Sequence, residues 1–103
     1  MKIIWSPESV SQVNPILRDM TEFDAAAANR RPAELLGTVE RIATFSKLGR
    51  EVPQHKDPKV RQLLVGKHWV AYHEGAKSIE IYAVWHGARR RPGRGIAGEV
   101  EDE

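Results

Sequence analysis

Residues 60–91 read VRQLLVGKHWVAYHEGAKSIEIYAVWHGARRR. Period-two patterning and turn residues divide this stretch into three short strands joined by two tight turns and ending in a cluster of arginines. In the first run Leu63 and Val65 alternate with Gln62 and Leu64, and Gly66-Lys67 breaks it. The second, His68 to His73, places His68, Val70 and Tyr72 on one face and Trp69 and Ala71 on the other. Glu74 to Lys77 is a hairpin-type loop in which Gly75 is expected to take positive φ. The third run sets Ile79, Ile81, Ala83 and Trp85 against Glu80, Tyr82, Val84 and His86. Short loops between consecutive strands predict an antiparallel meander, and the Ile79/Ile81/Trp85 face needs cover from elsewhere in the chain.

That cover lies upstream. Lys2 to Trp5 is β-prone, and Ser6-Pro7-Glu8 is a helix start: a capping hydroxyl, a proline at the first helical position and an early acid. Val10, Val13, Leu17 and Met20 then recur at spacings of three and four, an amphipathic stripe with Pro15 inside it as a kink or split. Asp24 can cap a helix from Ala25, and a second stripe runs through Leu35, Leu36, Val39, Ile42, Ala43 and Phe45. Pro32 requires either a kink near residues 29–31 or a new helix at Pro32, and Leu48-Gly49 closes the segment. Glu51 to Lys59, with two prolines and no period, reads as a loop. The expected fold is α+β, a small antiparallel sheet of about four strands on two N-terminal helices in the order β-α-α-β-β-β. The first strand joins the meander as an edge or central partner. Residues 1–92 form the domain, and 93–103 a flexible, Gly-rich acidic tail.

The 103 residues allow one domain with one modest core. A hydrophobic fraction of 41% and a charged fraction of 29% fit a soluble globular chain. No apolar run reaches the roughly 20 residues that a bilayer crossing needs, and the N-terminus is too quickly polar for a signal peptide. With no cysteine, neither disulfides nor thiolate metal sites form, so a cytoplasmic setting without a membrane is expected. The net charge of +2 conceals an asymmetry: Arg89, Arg90, Arg91 and Arg94 precede a terminal Glu99, Glu101, Asp102 and Glu103. A basic body of this kind points to an anionic or acidic partner.

Together KIIWSP, the helical pair ending in ATFSKLGREV, then VRQLLVGKHWVAYHE and IEIYAVWHGARR resemble the RelE/ParE superfamily of type II toxin–antitoxin toxins, on its ParE side, over residues 2–91. The resemblance implies the same helices-then-sheet fold, growth arrest and neutralisation by a cognate antitoxin. It implies DNA gyrase as target, or alternatively ribosome-dependent cleavage of messenger RNA as in the RelE branch. Residues 68–69 read His-Trp where the nuclease branch commonly has Tyr-Arg, and no tyrosine follows Arg91, so binding is favoured over catalysis.

If the chain is a nuclease, Arg89, His86 and Tyr82 are the catalytic candidates. Their residue types suit metal-independent acid–base chemistry with a guanidinium at the phosphate, and His68 and Tyr72 are expected on the same sheet face. For target binding the candidates are Arg89, Arg90, Arg91 and Arg61, since consecutive guanidinium groups at a strand end are poor core material and good anion binders. Arg61 alone reads more as a structural residue that pairs with a helix acid such as Glu40 or fixes the loop. At least two of Trp5, Trp69 and Trp85 are expected in core or interface positions. No cofactor or metal is expected, because the histidines lack ligand-type spacing. The antitoxin is expected on the exposed sheet edge and the outer groove of the helices.

Overall fold

The computed structural model describes residues 1–22, 30–53 and 55–87. Strand β1 (Lys2–Trp5) is followed by helices α1 (Pro7–Glu22) and α2 (Arg30–Thr44). Four further strands follow: β2 (Arg50–Glu51), β3 (Val60–Val65), β4 (His68–Glu74) and β5 (Ser78–His86). They form one sheet in the order β1-β5-β4-β3-β2. The α+β plan with two helices ahead of the sheet is as expected, but the sheet has five strands and is mixed. The edge strand β1 runs parallel to β5, Lys2 beside Ser78 and Trp5 beside Ile81, and the other pairings are antiparallel. Strand β2 takes Glu51 out of the expected loop and pairs it with Arg61. Two residues are too few to show a period, so this strand left no pattern in the sequence.

Helix α1 begins where the capping residues place it. The Ser6 hydroxyl accepts the Ser9 amide at 3.0 Å, and the Ser6 carbonyl accepts the first helical bond from Val10 at 3.0 Å. The helix continues through Pro15 without a split. Pro15 and Ser11 are both exposed, so water can take up the carbonyl that proline leaves without a donor. Pro32 lies in the first turn of α2, where an amide has no intrahelical acceptor in any case. A helix starting at Ala25 lies outside the described residues. Helix α2 ends at Thr44, earlier than the expected closure at Leu48-Gly49. There Leu48 donates back to the Phe45 carbonyl at 3.0 Å, and the Gly49 amide is drawn away to the Tyr72 hydroxyl at 2.8 Å.

The helices cover one sheet face. Val13, Leu35, Val39 and Ile42 pack on Val70, Tyr72, Ile79, Ile81 and Val84, with Ile16, Leu17 and Met20 around them. Each fully buried aliphatic side chain here contributes about 1.5–3 kcal/mol of transfer free energy. The buried line on α1 runs through Ser9 rather than Val10, which is 40% exposed. Leu36 on α2 and Phe45 just past its end, both of the expected stripe, also face outward.

The opposite face differs from the sequence expectation. Ala71 pairs with Ala83, but Tyr72 pairs with Ile81, so Tyr82 is an extra residue in β5. This β-bulge reverses the alternation. Ile79 and Ile81 face the helices, whereas Ala83 and Trp85 join Ala71, Val52 and Val60 on the far side, with Trp69 and Tyr82 against them. The expected common face of Ile79, Ile81, Ala83 and Trp85 is therefore divided. A second correction concerns Gly75, which does not take positive φ. Among the described residues that conformation belongs to Gly66 (φ 63), while Gly75 is needed because a Cβ there would lie 2.7 Å from the Ser78 carbonyl oxygen.

Beyond Ile81, strand β1 has ended and β5 would present a bare edge. The start of α1 covers it. Ser6 donates its amide to the Ile81 carbonyl at 3.1 Å and its hydroxyl to the Tyr82 carbonyl at 3.3 Å, and the Gln12 Oε1 accepts the Val84 amide at 2.9 Å. Replacing Gln12 by alanine leaves that part-buried amide without its acceptor. It is expected to lower the unfolding free energy by about 1–2 kcal/mol in urea titration, against less than about 0.5 kcal/mol for the exposed Asn14→Ala.

Candidate functional site

Strand β5 ends at His86, and the Gly87 amide donates to the Lys67 carbonyl at 2.6 Å. Gly87 thus lies beside the β3–β4 turn. Arg89, Arg90 and Arg91 themselves lie outside the described residues.

The remaining members of the expected cluster do not share one face. His68 and His86 are directly paired across β4 and β5, their ring centroids 5.2 Å apart and nearly perpendicular. They follow Val70 and Val84 on the helix side of the sheet. Tyr82, displaced by the bulge, lies on the far side with its ring 6.0 Å from that of His73. Burial first, then Glu80 and Asp57, raise the Tyr82 pKa, so the phenol stays protonated at neutral pH. Burial, with His86 and Lys67, lowers the pKa of His68. Tyr72 is on the helix side but fully buried, and its hydroxyl is occupied on both sides: it donates to the Ser46 carbonyl and accepts from Gly49, both at 2.8 Å.

On the far face, Trp69 and Trp85 stack at 6.4 Å, and His73 meets the Asp57 carboxylate at 3.2 Å. Trp85 is buried, Trp69 packs against the same small cluster, and Trp5 packs against the main core. All three tryptophans therefore serve packing.

Arg61 is engaged within the fold. Its Nε lies 3.3 Å from Glu74, and its Nη1 donates to the Gly49 carbonyl at 2.9 Å. The carboxylate partner comes from the neighbouring strand and not from Glu40 on the helix, while the tie to Gly49 fixes the α2–β2 loop. The same Glu74 accepts the Ser46 hydroxyl at 2.6 Å and pairs with Lys47 at 3.2 Å. No sequence pattern linked Ser46, Lys47 and Glu74, which are 27 and 28 residues apart.

Two depressions flank α2. One, of about 530 Å³, lies between β1 and the helix and is lined by Met1, Ile3, Trp5, Leu36, Val39, Glu40 and Ala43. The other, of about 540 Å³, surrounds Phe45 with Arg41, Ser46, Lys47 and Leu48. Phe45 is 58% exposed, and with the exposed Leu36 and Met1 it leaves apolar surface open along this side. Clustered apolar surface of this kind marks interaction sites.

The Ser46 hydrogen bond, helped by Lys47 and Arg61 and opposed by burial, holds the Glu74 carboxyl below its ordinary value of 4.5. A depressed carboxyl adds stability that is complete above that ordinary value and is lost as pH falls through the folded one. Urea unfolding should therefore show Glu74→Gln clearly less stable than the parent at pH 7, with the gap narrowing below pH 4.5.

The family model described as the ParE toxin of the type II toxin–antitoxin system parDE matches residues 3–91. No curated protein matches the chain in sequence. Among solved structures, a chain of the chromosomal ParDE toxin–antitoxin system from P. aeruginosa superposes with a TM-score of 0.64 at 16% identity. The match covers 84% of this chain and 95% of that one. At that identity the likeness concerns the fold.

Proposed function

This chain belongs to the ParE toxin family of type II toxin–antitoxin systems, and on that premise we propose that it arrests growth by binding DNA gyrase and is neutralised by a cognate antitoxin seated along α2. The observation that carries the binding reading is the bulge at Tyr82. Cleavage of RNA without a metal needs a base, an acid and a charge-stabilising cation around one phosphate. Tyr82 and His86 lie on opposite sides of the sheet, and Tyr72 is sealed in the core. What the chain offers a target is the outlet of β5, where consecutive guanidinium groups follow Gly87. Arg89 to Arg91 remain the proposed target contacts. Arg61 is not proposed among them, since its guanidinium is held by Glu74 and the Gly49 carbonyl and serves the α2–β2 loop. Residues 93–103 are proposed to lie outside the functional domain.

The antitoxin reading rests on the surface beside α2. An apolar anchor suits the Phe45 depression, and the adjacent Arg41 and Lys47 suit flanking carboxylates. The proposed occupant is thus an acidic amphipathic segment.

Purified, antitoxin-free protein is expected to inhibit gyrase supercoiling at micromolar concentration. No inhibition, together with ribosome-dependent cuts in messenger RNA, would move the assignment to the nuclease alternative. Antitoxin at 100 times its dissociation constant should stabilise the toxin by about 2.7 kcal/mol in thermal melting. Phe45→Asp should weaken that complex at least about tenfold, roughly 1.4 kcal/mol, and an unchanged affinity would place the antitoxin elsewhere.

A further inference from the structure

We propose that His68 and His86 form a binding site for a divalent transition-metal ion of the copper, nickel or zinc class, joining the start of β4 to the end of β5. The site is independent of the gyrase reading and uses side chains for which that reading has no role.

Backbone pairing sets the geometry. His68 and His86 are directly opposite in the antiparallel β4–β5 ladder, so the sheet holds their Cβ atoms about 4.5–5.5 Å apart. Metal–nitrogen bonds of about 2.0–2.1 Å with a near-tetrahedral angle at the ion place two imidazole centroids about 5 Å apart. The observed separation is 5.2 Å. The rings stand at 85°, the edge of one towards the other, so one ring must turn about its Cβ–Cγ bond. That torsion is broad and soft for histidine. The start of β4 and the end of β5 are both fixed close to the pair, by the turn at Gly66 and by the 2.6 Å bond from the Gly87 amide to the Lys67 carbonyl. A pair held on two strands needs little ordering on binding.

The chemistry of the donors selects the ion. Imidazole favours copper, nickel and zinc over magnesium and calcium, which take oxygen ligands. An imidazole binds the metal in its neutral form, so affinity should rise with pH through the histidine range. Among the described residues, charged groups near the pair include Lys67, which opposes a cation, and Glu34 of α2, which lines the 270 Å³ cavity reaching His68 and favours one. Among the described residues no third histidine, cysteine or acid completes a three-ligand group, so water or an added ligand fills the remaining positions. The rival histidine site on the molecule is the far-face set of His73, Asp57 and His55, where the Asp57 carboxylate meets His73 and the His55 ring accepts the Asp57 amide.

Untagged full-length protein, freed of metal with chelator, is titrated with copper(II), nickel(II) and zinc(II) chlorides. Calorimetry should give one ion per chain with a dissociation constant below about 1 mM, tightest for copper in line with the general affinity order. Copper electron paramagnetic resonance should show coupling to two imidazole nitrogens. His68→Gln and His86→Gln should each weaken binding at least tenfold and remove the two-nitrogen signature, while retaining parental melting temperature in chelator within a few degrees. The His55→Gln/His73→Gln double variant should bind as the parent does. The proposal fails if no ion binds, if binding survives both His68→Gln and His86→Gln, or if the far-face double variant is the one that loses it. Should either single variant unfold in chelator, the parent's copper spectrum decides: one nitrogen or none overturns the pair.

Discussion

One extra residue in β5 governs what this sheet presents on each side. Strand β5 is the strand between β1 and β4, and it has to serve two apolar surfaces at once. Its first half turns Ile79 and Ile81 to the helices. After the bulge at Tyr82, the same strand gives Ala83 and Trp85 to the far face and still returns Val84 to the helix side. Without the insertion, strict alternation would carry Ala83 and Trp85 under the helices and Val84 away from them. The bulge also coincides with the place where β1 stops and Ser6 and Gln12 of the helical segment take over the edge of β5. Bulge, edge cover and second apolar cluster thus form one arrangement.

A second constraint acts at the opposite end of the molecule. The loop after α2 is drawn onto the sheet by Tyr72, Arg61 and Glu74, which bind Ser46, Lys47 and Gly49. Buried polar groups must find partners, and here they find them in one loop. The result fixes Phe45 outward between Arg41 and Lys47. Helix α2 therefore stabilises the core with Leu35, Val39 and Ile42 and keeps an apolar shelf on the surface, which suits a toxin whose family belongs to toxin–antitoxin systems.

Much of this was legible in the sequence because local signals agreed. Ser6-Pro7-Glu8 marked the helix start, and the Gly66-Lys67 turn marked the first hairpin. The bulge was hidden because residues 81–85, IYAVW, are apolar or aromatic throughout and satisfy either register. Both faces are buried at that point, so no polar residue reports the slip. Closure of α2 was misplaced because Gly49 resembles a helix terminator, whereas its role is set by Tyr72, 23 positions away. The site was only partly readable for the same reason. The pairing of His68 with His86 follows from antiparallel register, but the separation of Tyr82 from both depends on one residue that no spacing argument reveals. Arg61 was legible as a structural residue, though its partner is Glu74 on the neighbouring strand.

The proposed mode of action rests on that separation: arginines follow β5 in the sequence, and the side chains that could have supplied acid–base chemistry are divided between two faces. The most direct measurement is growth arrest on induction of the Tyr82→Phe/His86→Phe double variant, with its melting temperature checked against the parent. The account predicts arrest as strong as that of the parent. Loss of arrest in a double variant that remains folded would contradict it.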